Sequence, residues 1–159
     1  MKAKLTLLTC LVLVITSSCK KYEEGPAFSL RGKKQRVINT WGVAEVFYVK
    51  DGERTDSSEF FANTEYTFEL NDGYTRIDYT KSGNDSFYIF EEGEWLFENN
   101  KEEIVTTGIE FTYQLPQQIK VRERTTTNLW QIRKLKETQL WMWLIISDTE
   151  RYEYKFEPR

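Results

Sequence analysis

Short segments of this chain alternate apolar and polar residues, which is the period of a β-strand that buries one face. Tyr66, Phe68 and Leu70 share one face of such a segment, and Thr67 and Glu69 lie on the other. The same alternation recurs in residues 109–115, 118–124 and 151–157. Helical periodicity is nearly absent, so the sequence predicts an all-β fold.

Turn signals separate these segments at intervals of about 8–12 residues, which indicates an antiparallel sandwich or barrel. Asn71-Asp72-Gly73 is a strong hairpin turn because glycine accepts the positive φ that such turns need. Asp56 is placed to cap a short helix over residues 56–61. The predicted strands are residues 40–49, 64–70, 74–80, 86–97, 102–107, 109–115, 118–124, 128–135, 139–146 and 151–157.

The first eighteen residues have the three parts of a secretory signal. Lys2 and Lys4 make the start positive, residues 5–15 are largely apolar, and Ser17 and Ser18 are small. The apolar run is shorter than the roughly 20 residues that span a bilayer. It therefore predicts a signal peptide over residues 1–18 and no transmembrane anchor.

Thr16-Ser17-Ser18-Cys19 resembles the lipobox of bacterial lipoproteins. In that family the peptidase cuts before the cysteine, which carries acyl chains such as palmitate. The resemblance implies that Cys19 is the lipidated first residue of the mature protein and that lipid attaches it to a membrane. Cys10 is a weaker candidate because Thr9 is larger than the cleavage site prefers. The alternative is an ordinary signal peptide with an incidental cysteine.

Lys20 follows the cysteine, where lipoproteins held at the inner membrane commonly carry aspartate. In this respect the chain resembles the outer-membrane lipoproteins of Gram-negative bacteria, which implies a cell-envelope location, on the periplasmic face or the cell surface. Residues 19–36 are rich in Lys, Arg and Gly and predict a flexible tether with a mean reach of roughly 20–25 Å. The remaining residues, 37–159, have the size of one domain.

Composition excludes several kinds of chemistry. The chain has no histidine, and its two cysteines are Cys10 and Cys19. Nucleophilic pairs with histidine and zinc sites of Cys and His are therefore impossible in the domain. We expect no catalytic residues, no metal and no cofactor, and thus no enzyme. The formal net charge of −3 also argues against a nucleic-acid partner.

Five motifs, in order and spacing, resemble the lipocalin-like lipoproteins of Gram-negative bacteria. They are Asn39-Thr40-Trp41, residues 66–73, Gly93-Glu94-Trp95 with Phe97, residues 130–135 and residues 154–156. The resemblance implies an antiparallel up-and-down β-barrel of about eight strands over residues 37–159. Two features depart from the family: Asn39 replaces a glycine, and no helix follows the last strand.

A barrel of about eight strands has an interior that side chains fill or that holds one small ligand. We predict that this interior is lined by Trp41, Glu45, Phe47, Tyr66, Phe68, Trp95, Phe97, Phe111 and Tyr113. The functional interpretation is a pocket for a small apolar, lipid-like or aromatic ligand, with the Glu45 carboxylate orienting it. The alternative is that these rings simply fill the core.

Charged runs in the second half of the chain are interpreted as solvated surface. Glu91, Glu92, Glu94, Glu98, Glu102 and Glu103 form an acidic run that we assign to hairpins facing solvent. Lys120, Arg122 and Arg124 are likewise assigned to a wet outer face.

Two functions follow from these features. The first is a module of the cell envelope that binds or carries a small apolar ligand. The second is a structural subunit with a packed barrel whose outer face docks an envelope protein partner. A cavity of about 300 Å³ or more favours the first.

Overall fold

The strands form one antiparallel sheet that closes on itself. The computed structural model describes residues 31–159. The strands are β1 (Asn39–Lys50), β2 (Glu53–Asp56), β3 (Glu65–Phe68), β4 (Gly73–Ser82), β5 (Asp85–Glu98), β6 (Glu103–Leu115), β7 (Ile119–Leu135), β8 (Leu140–Ile145) and β9 (Glu150–Pro158). Two short helices are α1 (Lys33–Val37) and α2 (Ser58–Phe61), and a 3₁₀ turn covers Asn99–Lys101.

The order of pairing makes a barrel. Each strand from β3 to β8 pairs with the next in sequence, and β1 pairs with β3 on one side and β9 on the other. Eight strands thus close, and β2 is an additional strand on the second half of β1. The predicted fold class is confirmed: a closed antiparallel up-and-down barrel, consistent with a lipocalin-like one. The helix predicted over residues 56–61 is present as α2 but begins only at Ser58, with Ser57 in the N-cap position. Asp56, predicted as its cap, ends β2, and its carboxylate accepts a hydrogen bond from the Ser58 N–H at 2.9 Å.

Two strands are longer than the sequence predicted. β6 joins the segments predicted at residues 102–107 and 109–115, and β7 joins those at 118–124 and 128–135. β6 pairs with β5 without a register shift from Glu103 to Leu115. Because side chains alternate along an uninterrupted strand, every second residue of β6 points inward from Ile104 onward.

Gly108 lies inside β6, whereas the sequence interpretation ended one strand before it and began another after it. It is the Cα partner of Gly93 on β5. A Cβ at Gly93 would lie 2.0 Å from the carbonyl oxygen of Thr107, and one at Gly108 would lie 2.5 Å from that of Glu92. The two backbones therefore approach too closely for a side chain at either position.

A β-bulge in β1 reverses which residues face the barrel interior. The register with β9 shifts between Val43 and Glu45. Trp41 and Val43 are buried before the bulge, and Val46 is buried after it. The extra residue thus changes the inward parity from odd to even.

One end of the barrel is solidly packed and is covered by α1. The indole N–H of Trp41 donates to the carbonyl oxygen of Val37 at 2.8 Å, and the guanidinium of Arg36 donates to that of Leu135 at 2.7 Å. α1 lies in the stretch that the sequence assigned to the tether. The core above it contains Val37, Trp41, Val43, Val46, Tyr66, Phe68, Tyr74, Trp95, Ile104, Trp130, Ile132, Leu135, Leu140, Met142, Tyr154 and Phe156.

The other end of the barrel, the mouth, carries α2 and the β4–β5, β6–β7 and β8–β9 turns. It is open, and both charged and apolar side chains line its interior. Within residues 31–159, neither α1 nor α2 is long and apolar enough to cross a bilayer.

Candidate functional site

A cavity of about 580 Å³, the mouth cavity, occupies the open half of the barrel. Its floor includes Tyr66, whose ring contacts Trp130 and Phe156 of the packed core, with ring centroids 5.6 and 5.3 Å away. Its lining consists of Phe61, Thr64, Tyr66, Arg76, Asp78, Thr80, Phe87, Ile89, Glu110, Thr112, Val121, Arg122 and Arg124. Charged and apolar side chains therefore share one space.

The centre of the lining is a carboxylate held by two arginines. Arg76 donates to Glu110 at 2.6 Å, and Arg124 donates to both oxygens of Glu110 at 2.7 and 2.9 Å. The Glu110 side chain is 3% exposed. Burial raises the pKa of this carboxyl, but the hydrogen bonds and charges of Arg124 and Arg76 outweigh burial, and the net pKa lies below the ordinary value.

Glu91 extends this cluster toward the core. Its side chain is 0% exposed and lies 3.4 Å from the guanidinium of Arg76. Thr126 donates its hydroxyl to the other carboxylate oxygen at 2.5 Å. Because burying a charge is costly unless it is paired and hydrogen-bonded, Arg76 is the residue that makes two buried carboxylates tolerable.

Asp78 is a third acidic residue of the mouth cavity. It is 8% exposed and accepts a hydrogen bond from the Thr64 hydroxyl at 3.1 Å. Burial raises the pKa of Asp78 above its ordinary value, and the Thr64 hydrogen bond and the Arg76 charge offset burial only in part. The mouth cavity therefore offers both hydrogen-bond donors and hydrogen-bond acceptors, and these groups lie at different depths.

A groove of about 500 Å³, the rim groove, continues the mouth cavity to the surface. The two share Thr80 and Phe87 in their linings. Phe60 and Leu115 lie at its outer edge, and Phe60 is 73% exposed. The rim groove, like the cavity beneath it, is therefore lined by both apolar and polar side chains.

Five of the nine residues predicted to line a ligand site do face inward. Trp41, Tyr66, Phe68 and Trp95 are at most 2% exposed, and Phe97 packs against them. They form the packed core, and Tyr66 is the one among them in the described lining of the mouth cavity. Their role in binding a ligand stays a prediction.

Glu45 and Phe47 were predicted to face inward, and this was wrong because the β1 bulge turns both outward. Glu45 is exposed and pairs with Lys155 at 2.6 Å. The ring of Phe47 lies 3.4 Å from the guanidinium carbon of Arg54, beside a surface groove of about 220 Å³. Glu45 therefore cannot orient a ligand inside the barrel.

Phe111 and Tyr113 were also predicted to face inward, and they too point outward. Their neighbours Glu110 and Thr112 line the mouth cavity, so the alternation of β6 puts the two rings on the outer wall. Phe111 lies 5.7 Å from the ammonium group of Lys120. The error came from breaking β6 at Gly108.

The sequence interpretation missed or misplaced the charged residues of the mouth cavity. Glu91 was assigned to a solvent-facing hairpin and is fully buried, and Arg124, assigned to a wet outer face, pairs with Glu110 inside the mouth. Arg122 also lines the cavity, whereas Lys120 is exposed as predicted. A signal for Glu91 existed, because it shares the parity of Trp95 on the same strand.

No group of three or more Asp, Glu, Cys or His within residues 31–159 could hold a metal ion. Cys19 and the predicted signal peptide lie outside the described residues. Comparison with protein-family models, with curated proteins and with solved structures finds no match.

Proposed function

We propose that this chain is a lipid-anchored protein of the Gram-negative cell envelope whose barrel binds a small amphipathic molecule in the mouth cavity. The observation that carries the proposal is the division of the barrel into a filled aromatic half and an open half of about 580 Å³. Ligand sites of 300–1,000 Å³ that combine apolar walls with a few polar groups are typical of small-molecule binding.

The lining favours an amphipathic ligand over the wholly apolar one that the sequence predicted. A polar group near Arg76, Asp78 and Arg122 would find donors and acceptors there. An apolar portion would lie toward Phe87 and Phe60, along the rim groove.

Mass spectrometry under native conditions tests the binding half of the proposal. The chain purified from envelope extract is compared before and after organic extraction. We expect a removable adduct of a few hundred daltons, the size that such a cavity holds. Repeated preparations without an adduct, from cells and from lipid-supplemented extract, would contradict ligand binding and favour a barrel that serves only protein contacts.

Labelling with palmitate tests the anchor independently of the ligand. In a Gram-negative host we expect label on the wild-type chain and on the Cys10→Ser variant, and none on Cys19→Ser. The same Cys19→Ser variant should leave the membrane fraction, because two or more acyl chains are what hold such a protein stably. Equal labelling of Cys19→Ser and wild type would show that Cys19 is not the acylated residue.

A further inference from the structure

The outer wall of β4, β5 and β6 carries an apolar patch near the mouth. The patch, called the aromatic patch below, consists of Ile77, Tyr79, Tyr88, Phe90, Phe111 and Tyr113. These residues alternate with inward residues that line the mouth cavity or are buried, so their side chains lie on the outer face. The pairing register aligns them in two rows across three strands.

The rings of the aromatic patch contact one another. Tyr88 lies 5.1 Å from Tyr79, 6.5 Å from Phe90 and 6.1 Å from Tyr113, measured between ring centroids. Tyr79 is 53% exposed. Contiguous apolar patches of a few hundred Å² on a soluble domain are usually interaction sites.

Other rings on the outer wall are covered by cations of the same chain. Trp141 has the Lys134 ammonium 3.8 Å from its ring centroid. Trp143 has the guanidinium carbons of Arg133 and Arg151 at 4.2 Å each. Such contacts keep exposed aromatic surface compatible with water. Within the aromatic patch, Phe111 has the Lys120 ammonium at the longer distance of 5.7 Å, so the patch is the less covered part of this wall.

Exposed charges flank the aromatic patch with opposite signs at its two edges. Lys81 follows Tyr79 along the outward face of β4, at the edge nearer the mouth. Lys120, the Cα partner of Tyr113, already pairs with Glu123 of the same chain at 2.7 Å, so Lys81 is the lysine of this edge. Glu92 and Glu94 follow Phe90 along the same outward face of β5, at the other edge. The wall is therefore positive, then apolar, then negative along the barrel.

We infer that the partner of this wall is a second copy of the chain, packed face to face about a two-fold axis that crosses the strands near Phe90. A two-fold interface puts the same patch on both subunits. The rotation reverses the strand direction, so the rings of one copy cover those of the other. It also brings the lysine edge of each copy over the glutamate edge of its partner.

A lipid surface fits the same wall less well. Glu92 and Glu94 would then face the anionic head groups of an envelope membrane, which repel them. In the two-fold arrangement those glutamates meet lysines. Tyr79 is exposed and the other five patch residues are half-buried, so we expect a reversible dimer that forms at about 10–100 μM and not a permanent one. This inference does not rest on the lipid anchor, and Tyr79 and Lys81 are shared between the patch and the lining of the rim groove.

Two charge-reversal variants test this arrangement by sedimentation velocity. The sample is residues 20–159, because the closed barrel and its core lie within residues 31–159. Lys81→Glu makes both edges negative, and Glu92→Lys/Glu94→Lys makes both edges positive. We expect each variant alone to associate about tenfold more weakly than wild type, and an equimolar mixture to recover dimers.

The control variant is Lys136→Glu, which changes the net charge as Lys81→Glu does, at an exposed lysine outside the patch. It should dimerise like wild type, and all variants should keep the wild-type unfolding midpoint. The inference is overturned if wild type stays monomeric up to about 1 mM, if the patch variants dimerise like wild type, or if mixing recovers nothing. A monomer that floats with vesicles of mixed zwitterionic and anionic lipid would assign the wall to a membrane instead.

Discussion

Replacing Arg76 by methionine is expected to lower the free energy of unfolding by about 3–5 kcal/mol at pH 7, because it removes one partner of a buried ion pair. The substitution leaves Glu91, which is 0% exposed, and Glu110, which is 3% exposed, without the cation between them. Methionine has a similar length, so packing is largely kept. The measurement is urea unfolding followed by circular dichroism.

The dependence of this loss on pH gives the prediction a second readout. In wild type the lowered pKa of Glu110 contributes stability that is present above the unfolded pKa and is lost as the pH falls through the folded pKa. Without Arg76 that contribution shrinks, so the gap between wild type and Arg76→Met should be smaller near pH 4 than at pH 7.

The matched control is Arg124→Met. Arg124 binds the same Glu110 carboxylate but its side chain is 47% exposed, so water can replace it. We expect a loss of about 1 kcal/mol. Equal losses for the two variants, or a loss below about 1 kcal/mol for Arg76→Met, would mean that the carboxylates of the mouth cavity are hydrated in solution.

Replacing Trp95 by alanine is expected to cost about 3–5 kcal/mol of unfolding free energy, the usual range for a buried tryptophan. Trp95 is 1% exposed, and its ring centroid lies 5.5 Å from that of Phe68 and 5.3 Å from that of Phe97. Its indole N–H donates to the carbonyl oxygen of Glu69 at 3.1 Å. Truncation therefore leaves both a cavity and an unpaired carbonyl.

Phe111→Ala is the comparison for Trp95→Ala, because the sequence predicted both rings to line one pocket. Phe111 is on the outer wall, and its truncation should cost about 1 kcal/mol or less. Urea unfolding followed by circular dichroism compares the two without relying on tryptophan fluorescence. If Trp95→Ala cost as little as Phe111→Ala, the aromatic half would be a loose pocket and not a packed core.

The fold was predictable because turns and strands have local signals. Asn71-Asp72-Gly73 was predicted as a hairpin turn, and the chain does turn between β3 and β4 there, with Asp72 at φ 68°. Every strand except β2 contributes apolar residues to the core or to the outer wall. The spacing of these residues along the sequence indicated an antiparallel closed sheet. Strand β2, which has four exposed residues, carries no such signal.

The candidate site was less predictable because the two halves of the barrel invert the usual pattern. In the packed half apolar residues face inward, as the sequence interpretation assumed. In the mouth half several inward residues, such as Arg76 and Glu110, are charged and lie beside apolar ones such as Phe87, while outward residues such as Phe111 are apolar. In that half, a rule that places apolar residues inside therefore assigns the wrong face. Alternation continued along β4 from the buried Tyr74 instead assigns Arg76 and Asp78 to the interior, which is correct.

The β1 bulge was not predictable from alternation. Trp41, Glu45 and Phe47 share odd numbers, and only the register with β9 reveals that the parity changes between Val43 and Glu45. A bulge adds one residue without a fixed sequence signature, so pattern reasoning has no means to detect it.

The most direct test of the account is whether the molecule bound by the envelope-purified chain occupies the mouth cavity. Thr80 lines both the mouth cavity and the rim groove, so Thr80→Trp should block the passage between them. Thr127→Trp places the same ring at an exposed position on the outer wall as the control. Native mass spectrometry should find the extractable adduct on wild type and Thr127→Trp, and little or none on a folded Thr80→Trp. Equal adduct on all three would contradict binding in the mouth cavity.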